Sequence, residues 1–336
     1  MKSSNRILVT GAGGFIGHHL VKALKSDGLW VRAVDVKHPE FETSPADEFE
    51  LRNLRDWGEA LAATRNVNHV YNLAADMGGI GYISTNFADI ARNNVLTNTH
   101  LLEAARTNGV QRFLFASSAC VYPRYRQHQS DVKPLREEDA LPADPEPGYG
   151  WEKLFTEQLC SYYFRDYCFP TRIVRFHNVY GPLGTYDGGK EKAPAAICRK
   201  VALAEDGGSI EVWGDGAQTR SFLYIADCVE GLQRLMASDY PEPLNLGTED
   251  MVSVDQLVDL VCDIAGKKLR KLHDPSKPQG VRGRNSDNSR LRAVLGWEPL
   301  TSLRNGLTIT YHWIEGELRK ARRLRQGGEA RPIASR

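Results

Sequence analysis

Long apolar runs are missing from this chain: no stretch approaches the roughly 18 residues a membrane span needs. The opening segment, MKSSNRILVTGAGG, passes from polar residues into a short apolar run and then a glycine turn, without the h-region and cleavage site of a secretory signal. An excess of either charge is missing too, with 43 Lys and Arg against 42 Asp and Glu and a formal net charge of +1. So even a balance gives no electrostatic footprint for nucleic acid or an anionic membrane surface, and any bound anion must be held by local groups. Metal-type cysteine spacing is a third absence. Cys120, Cys160, Cys168, Cys198, Cys228 and Cys262 are scattered without a CxxC pair, which argues against a zinc knuckle or a disulfide framework. No metal, nucleic-acid or membrane partner is expected, and the expected location is cytoplasmic.

What is present is an ordinary globular composition, 41% hydrophobic and 25% charged over 336 residues, enough to bury a core and long enough for about two domains. Short apolar strands (RILVT, WVRAVD, HVYNLAA, RFLFASS, TRIVRF) alternate with helical patterns such as NFADIARNNVLTNTHLLEAARTNG and WEKLFTEQLCSYYFRDY. That alternation predicts an α/β fold, a doubly wound parallel sheet of Rossmann type with a smaller, mostly C-terminal domain. Between Arg136 and Tyr149 a proline-rich, acidic segment reads as a surface loop that delivers Tyr149 to the next helix.

The first strand runs directly into TGAGGFIG, and a helix follows. Gly11 serves the tight turn, Gly14 lets backbone approach a pyrophosphate, and Gly17 lets helix and strand pack closely. Phe15 and Ile16 open the helix, whose N-terminal N–H groups suit phosphate. Asp35 closes the second strand 18 residues after Gly17, where a carboxylate accepts ribose hydroxyls and repels a 2′-phosphate. The expected cofactor is therefore NAD, with Ala74 and Ala75 at the end of HVYNLAA completing its contact set. Residues 1–177, with a return segment at about 221–247, are expected to form the NAD-binding domain. Residues 178–220 and 248–316 would form the substrate domain, and 317–336 a basic, disordered tail.

Tyr149 and Lys153 are spaced four apart, so the ammonium lies near the phenol on one helical face and favours the phenolate. A tyrosine brought down from its usual value near 10 becomes a usable base for a hydroxyl proton. Ser117 and Ser118 end the intervening strand.

These motifs resemble the extended short-chain dehydrogenase/reductase group that acts on nucleotide sugars. Further segments, AADMGGIGYI, SSACVYP, YGWEK, RFHNVYGPLGT, GKEKAPAAICRK, WGDGAQTRSF and GVRGRNSDN, are similar to those of its GDP-mannose 3,5-epimerase branch, over about residues 6–316. The resemblance implies that Tyr149 takes the proton of the sugar 4-hydroxyl, that Ser118 hydrogen-bonds the hydroxyl, and that the C4 ketone acidifies C3–H and C5–H. It also implies that Cys120 and Lys192 are the acid/base pair, with NAD and Lys192 as the cations that lower the thiol pKa. GDP-L-galactose and GDP-L-gulose would be the products, and a homodimer pairing helices near 90–107 and 151–166 the assembly.

For substrate, the resemblance implies a GDP-mannose-type nucleotide sugar bound by Asn178, Gln218, Arg220 and Arg284, with Arg282 nearby. Arginine's planar fork suits a diphosphate, although pairing with acids such as Asp287 is the competing role. Gly78, Gly79 and Gly81 would leave room for a turning sugar. A nucleotide-sugar 4-epimerase shares the Tyr, Ser and NAD but does not need Cys120 or Lys192. A 4,6-dehydratase would need a carboxylic acid near the strand end where SSAC stands, and none is expected there. A non-catalytic dinucleotide sensor on the same fold is the remaining alternative.

Overall fold

The computed structural model describes residues 5–328. Seven strands form one sheet: β1 (Arg6–Thr10), β2 (Trp30–Asp35), β3 (Glu48–Leu51), β4 (His69–Asn72), β5 (Arg112–Ser118), β6 (Thr171–Phe176) and β7 (Pro243–Leu246). Their order is β7-β6-β5-β4-β1-β2-β3, and every neighbouring pair is parallel. The doubly wound parallel sheet is the one the strand-helix alternation predicts. Alternate residues of β1 point to opposite layers: Ile7 and Val9 join one core and Leu8 the other. A strand buried on both faces has no polar side to show, which is why RILVT reads as a continuous apolar run.

The helices that matter here are α1 (Phe15–Ser26), α2 (Phe87–Thr107), α3 (Tyr149–Tyr167), α4 (Ala193–Leu203), α5 (Ile225–Ala237), α6 (Val254–Ala265) and α7 (Leu303–Gly328). Chain order reverses across the β1/β4 pair, and the crevice beyond such a switch point is where open α/β sheets bind ligands. A small three-stranded sheet built from Val252–Ser253, Thr219–Arg220 and Gly283–Arg284 stands apart from the main sheet.

Three local expectations change. The strand expected over 69–75 ends at Asn72, because the chain then crosses the glycine turn. The polar stretch after β2 holds β3 and a short helix, Trp57–Ala63; EFEL is an edge strand of four residues in which Phe49 and Leu51 alternate with acids, too short a pattern to stand out from its polar surroundings. The tail expected to be disordered from residue 317 is helical as far as Gly328. Buried Leu307, Tyr311 and Ile314 anchor α7, and Glu315–Arg319 at 3.0 Å and Glu317–Lys320 at 2.6 Å carry it onward. Residues 329–336 of that expected tail lie outside the described residues.

Candidate active site

At the switch point the chain turns through Gly11, whose φ of +69° is open to glycine. A side chain at Gly17 would start 2.2 Å from the Gly11 carbonyl oxygen, so the helix can approach the strand only without one. Above Gly14 the nearest atom to an added Cβ is 3.2 Å away, and no side chain caps the first turn of α1, opened by half-buried Phe15 and Ile16. Uncapped N–H groups at an open helix N-terminus form a donor set for a diphosphate. Asp35 Oδ2 accepts the Gly13 N–H at 2.9 Å, and Oδ1 accepts those of Val36 at 2.6 Å and Lys37 at 3.2 Å. Of about four acceptor directions on a carboxylate, three are taken by these N–H groups and one is left for a further donor. The Ala74 N–H bonds Thr10 Oγ1 at 3.3 Å, and Ala75 is exposed beyond it. These residues fit NAD. Gly13, whose added Cβ would meet the Lys37 carbonyl oxygen at 2.1 Å, was not singled out by the GxxGxxG spacing.

At the end of β5 Ser117 turns inward to Glu157, Oγ to Oε1 2.5 Å, whereas Ser118 faces the cleft. Ser118 Oγ accepts the Cys120 N–H at 3.2 Å, closing the short turn Ala119–Val121, and hydrogen-bonds Tyr149. Lys153 is buried, with Nζ 5.4 Å from the centre of the Tyr149 ring and 3.5 Å from Glu152 Oε1. Asn94 and Asn98 hold Glu152 from α2, at 2.8 and 3.3 Å. The Tyr149 phenol, expected to be lowered, instead lies well above its usual pKa: burial dominates, Cys120 and Glu152 add to it, and only the Ser118 hydrogen bond opposes them.

Cys120 is 9% exposed, and its thiol is raised, first by burial and then by Glu146, with Arg284 opposing. Arg284 Nη1 stands 3.6 Å from Sγ, Nη2 donates to Glu146 Oε1 at 2.7 Å, and Nε donates to Gln127 Oε1 at 2.6 Å. The cation touching sulfur is thus Arg284. Lys192 is solvent-accessible at the N-cap of α4, yet enough protein surrounds its cleft to lower its pKa, while Cys120 favours its charge. Glu146 corrects the expectation that no acid stands near SSAC. It arrives from the proline-rich loop, its N–H donating to the Cys120 carbonyl at 3.0 Å. Its place three residues before Tyr149 was the available signal. Buried Gln127 was also missed.

The expected substrate residues divide. Arg284 donates to Gln127 and Glu146 and approaches Cys120, so without ligand its guanidinium is engaged at the thiol end of the cleft. Arg282 pairs with Asp215 at 2.7 Å, and Asp287 with Arg136 at 3.3 Å, so neither predicted arginine pairs with Asp287. Arg220 donates to the carbonyls of Thr219 at 2.7 Å and Val281 at 2.5 Å. Burial, with Arg284 adding to it, lowers its pKa to about 10, and it has no ion-pair partner among the described residues. Gln218 donates to the Trp213 carbonyl at 2.7 Å, leaving Oε1 buried without a partner among the described residues. Asn178, at φ +49°, donates to the Ser221 carbonyl at 2.9 Å. At Gly78 and Gly79 an added Cβ would meet Tyr82 at 3.0 Å and the Glu191 carbonyl at 2.9 Å, so a side chain there would not fit, whereas at Gly81 nothing lies within 4 Å.

A sequence model of the NAD dependent epimerase/dehydratase family matches residues 7–247. GDP-mannose 3,5-epimerase 1 of Oryza sativa subsp. indica is 49% identical over 317 residues, spanning 94% of this chain and 83% of that protein. GDP-mannose 3,5-epimerase of Arabidopsis thaliana gives the same identity and coverage, 49%, 94% and 83%. Among solved structures, a UDP-glucose 4-epimerase of Thermotoga maritima with UDP-glucose has a TM-score of 0.85 at 28% identity, covering 93% of this chain and 99% of that one. A Thermus thermophilus UDP-glucose 4-epimerase in complex with NAD has a TM-score of 0.80 at 25% identity, with 93% and 99% covered.

Proposed function

Because the chain belongs to the NAD dependent epimerase/dehydratase family, we propose that it inverts C3 and C5 of the sugar of GDP-mannose through a transient ketone at C4. Double inversion gives GDP-L-galactose, and single inversion at C5 gives GDP-L-gulose. The observation that carries this reading is the Cys120 thiol, 3.6 Å from the Arg284 guanidinium and packed in one buried cluster with Tyr149. A 4-epimerase has no use for such a thiol.

NAD, when bound, supplies the reversible oxidation at C4. Gly11, Gly14 and Gly17 shape the turn for it, the N–H groups of Phe15 and Ile16 meet its diphosphate, and Asp35, Ala74 and Ala75 flank its ribose and ring. Tyr149 takes the proton of the 4-hydroxyl, Ser118 orients that hydroxyl and hydrogen-bonds the phenol, and buried Lys153 stands 5.4 Å from the ring. A C4 ketone makes the neighbouring C–H bonds acidic. Cys120 as thiolate removes the proton from one face, and the Lys192 ammonium delivers one to the other. Arg220, with no carboxylate partner among the described residues, holds the diphosphate, while Asn178, Gln218 and Gly78 border the nucleotide sugar.

On this reading residues 1–177 with the return at about 221–247 carry the cofactor, and 178–220 with 248–316 the nucleotide sugar. The working form is a homodimer joined through α2 and α3, which expose Leu96, Trp151, Phe155 and Tyr162. A reducing, cytoplasmic setting suits an enzyme whose six cysteines are free thiols.

The test is incubation with GDP-mannose in deuterated water, read by NMR of the sugar. Deuterium at C3 and C5, abolished by Cys120→Ala and by Lys192→Met, is expected. A C4 epimer without deuterium at C3 or C5 would make the protein a 4-epimerase, and no reaction would remove GDP-mannose as substrate.

A further inference from the structure

Inverting two carbons with one acid/base pair creates a proton imbalance. After the first inversion the C–H proton sits on sulfur as a thiol, and Lys192 has given up its proton and is an amine. The second inversion needs a thiolate and an ammonium again. One proton must therefore leave Cys120 and one must reach Lys192 before the ketone is reduced, with no electrons exchanged. Lys192 is solvent-accessible, so water can reprotonate it. Cys120 is 9% exposed and needs a route.

The groups around the sulfur narrow that route. A guanidinium stays protonated throughout, so Arg284 cannot carry the proton. Tyr149 is committed to the C4 oxygen, and the Ser118 hydroxyl, which hydrogen-bonds both Tyr149 and Cys120, leads back only to that oxygen. Glu146 remains. Two nitrogens of Arg284 hold it beside the thiol, Nη2 on Oε1 at 2.7 Å and Nη1 on Sγ at 3.6 Å. Its own N–H fixes it to the Cys120 carbonyl at 3.0 Å. The residue also lines an open cleft with Ile83, Phe87, Arg124 and His128.

We infer that Glu146 is the proton exit for Cys120 between the two inversions; this rests on the 3,5-epimerase reading proposed above. The S–H proton passes to a bridging water as that water gives one of its own to the Glu146 carboxylate. Water in the cleft takes that proton, the thiolate is restored, and water returns a proton to the Lys192 amine. The exit sets how often the keto sugar is inverted twice before it is reduced and released. Glu146 is thus a specificity-determining positioning residue for the double inversion.

The experiment compares wild type, Glu146→Gln and Glu146→Asp with GDP-mannose in deuterated water, following both products and the recovered substrate by NMR. Glu146→Gln keeps an acceptor for Arg284 but cannot take a proton. It should raise the ratio of singly to doubly inverted product at least tenfold, and Glu146→Asp should restore most of the wild-type ratio. Deuterium entering uninverted substrate requires the thiol to exchange with solvent, so relative to product it should fall at least fivefold in Glu146→Gln. A role confined to holding Arg284 would slow both inversions together and leave both ratios unchanged, which overturns the inference. If wild type inverts both C3 and C5 but Glu146→Gln keeps both ratios, the inference fails alone; if wild type does not invert both carbons, the functional reading fails and takes the inference with it.

Discussion

Arg284 and Cys120, 164 residues apart in sequence, meet through a guanidinium nitrogen 3.6 Å from sulfur. The same guanidinium pairs with Glu146, so it is held by a carboxylate while it favours a thiolate. Arg284→Met should cost about 3 kcal/mol of stability, because breaking a buried pair strands the carboxylate, and should lower epimerisation at least a hundredfold. The cation favours the charged thiolate, so its loss moves the thiol pKa further up. Alkylation at Cys120, mapped by mass spectrometry across pH, should shift to higher pH in the variant. An unshifted profile would mean the contact has no electrostatic consequence. Lysine lacks the planar fork, so Arg284→Lys should not restore activity.

Gly14 and Gly17 predict opposite failures. An added Cβ at Gly17 starts 2.2 Å from the Gly11 carbonyl oxygen, while at Gly14 the nearest atom is 3.2 Å away. Gly17→Ala should lower the melting temperature without ligand, since a helix must move off a strand. Gly14→Ala should melt much like wild type yet lose most of the upward shift that NAD produces. Thermal shift with and without NAD reads both, with no sugar present. Equal behaviour of the two variants would remove the distinction between a packing glycine and a ligand-facing one.

The sheet was legible because its central strands carry short apolar stretches, ILV in β1 and FLFA in β5, where they are buried on both faces; β3, EFEL, was not, because a four-residue edge strand alternating with acids blends into its polar surroundings. The cofactor turn and the Tyr149–Lys153 spacing are local, within reach of periodicity and motif. Cys120 and Lys192 came from resemblance, since a lone thiol and a lone ammonium carry no local signature. Glu146, Gln127 and the true partners of Arg284 were out of reach. They depend on a proline-rich loop folding back onto β5, and nothing in DPEPGYG specifies where that loop lands. The Tyr149 pKa went the other way for a related reason: spacing reveals the neighbouring ammonium, whereas burial is a property of the whole fold.

His177 predicts a stability that depends on acid. It is fully buried, and its Nε2–H donates to Asn245 Oδ1 at 3.0 Å, which also accepts from the Tyr122 hydroxyl at 2.6 Å. Burial lowers its pKa from 6.5 to about 3, with the Asn245 bond opposing and Arg284 and Arg175 assisting. The unfolded chain therefore binds this proton more readily. The stability is fully present above about pH 6.5 and is lost as pH falls toward 3, at about 1.4 kcal/mol per unit. His177→Gln retains an N–H donor without the titration. The urea midpoint of wild type should fall more steeply than that of the variant between pH 6.5 and 4; parallel curves would show that His177 is protonated at no cost.

The proposed homodimer rests on one stripe of α3. Trp151, Phe155 and Tyr162 are 52%, 50% and 47% exposed, and their spacing of four and seven keeps them on one helical face. Leu96, 38% exposed, adds an apolar residue from neighbouring α2. Large apolar side chains contiguous on a surface mark an interaction site, and a two-fold pairing of α2 and α3 with their copies would cover these. Each well-buried side chain of that size is worth about 1.5–3 kcal/mol, so two charges in the stripe should suffice to separate the copies. Trp151→Glu with Phe155→Glu should convert a dimeric mass to a monomeric one by light scattering at micromolar concentration. Trp151 and Phe155 face away from Lys153, so NAD should still raise the melting temperature of the separated chain. A wild type already monomeric at that concentration would sink the dimer, and a doubly substituted chain that stays dimeric would place the interface elsewhere.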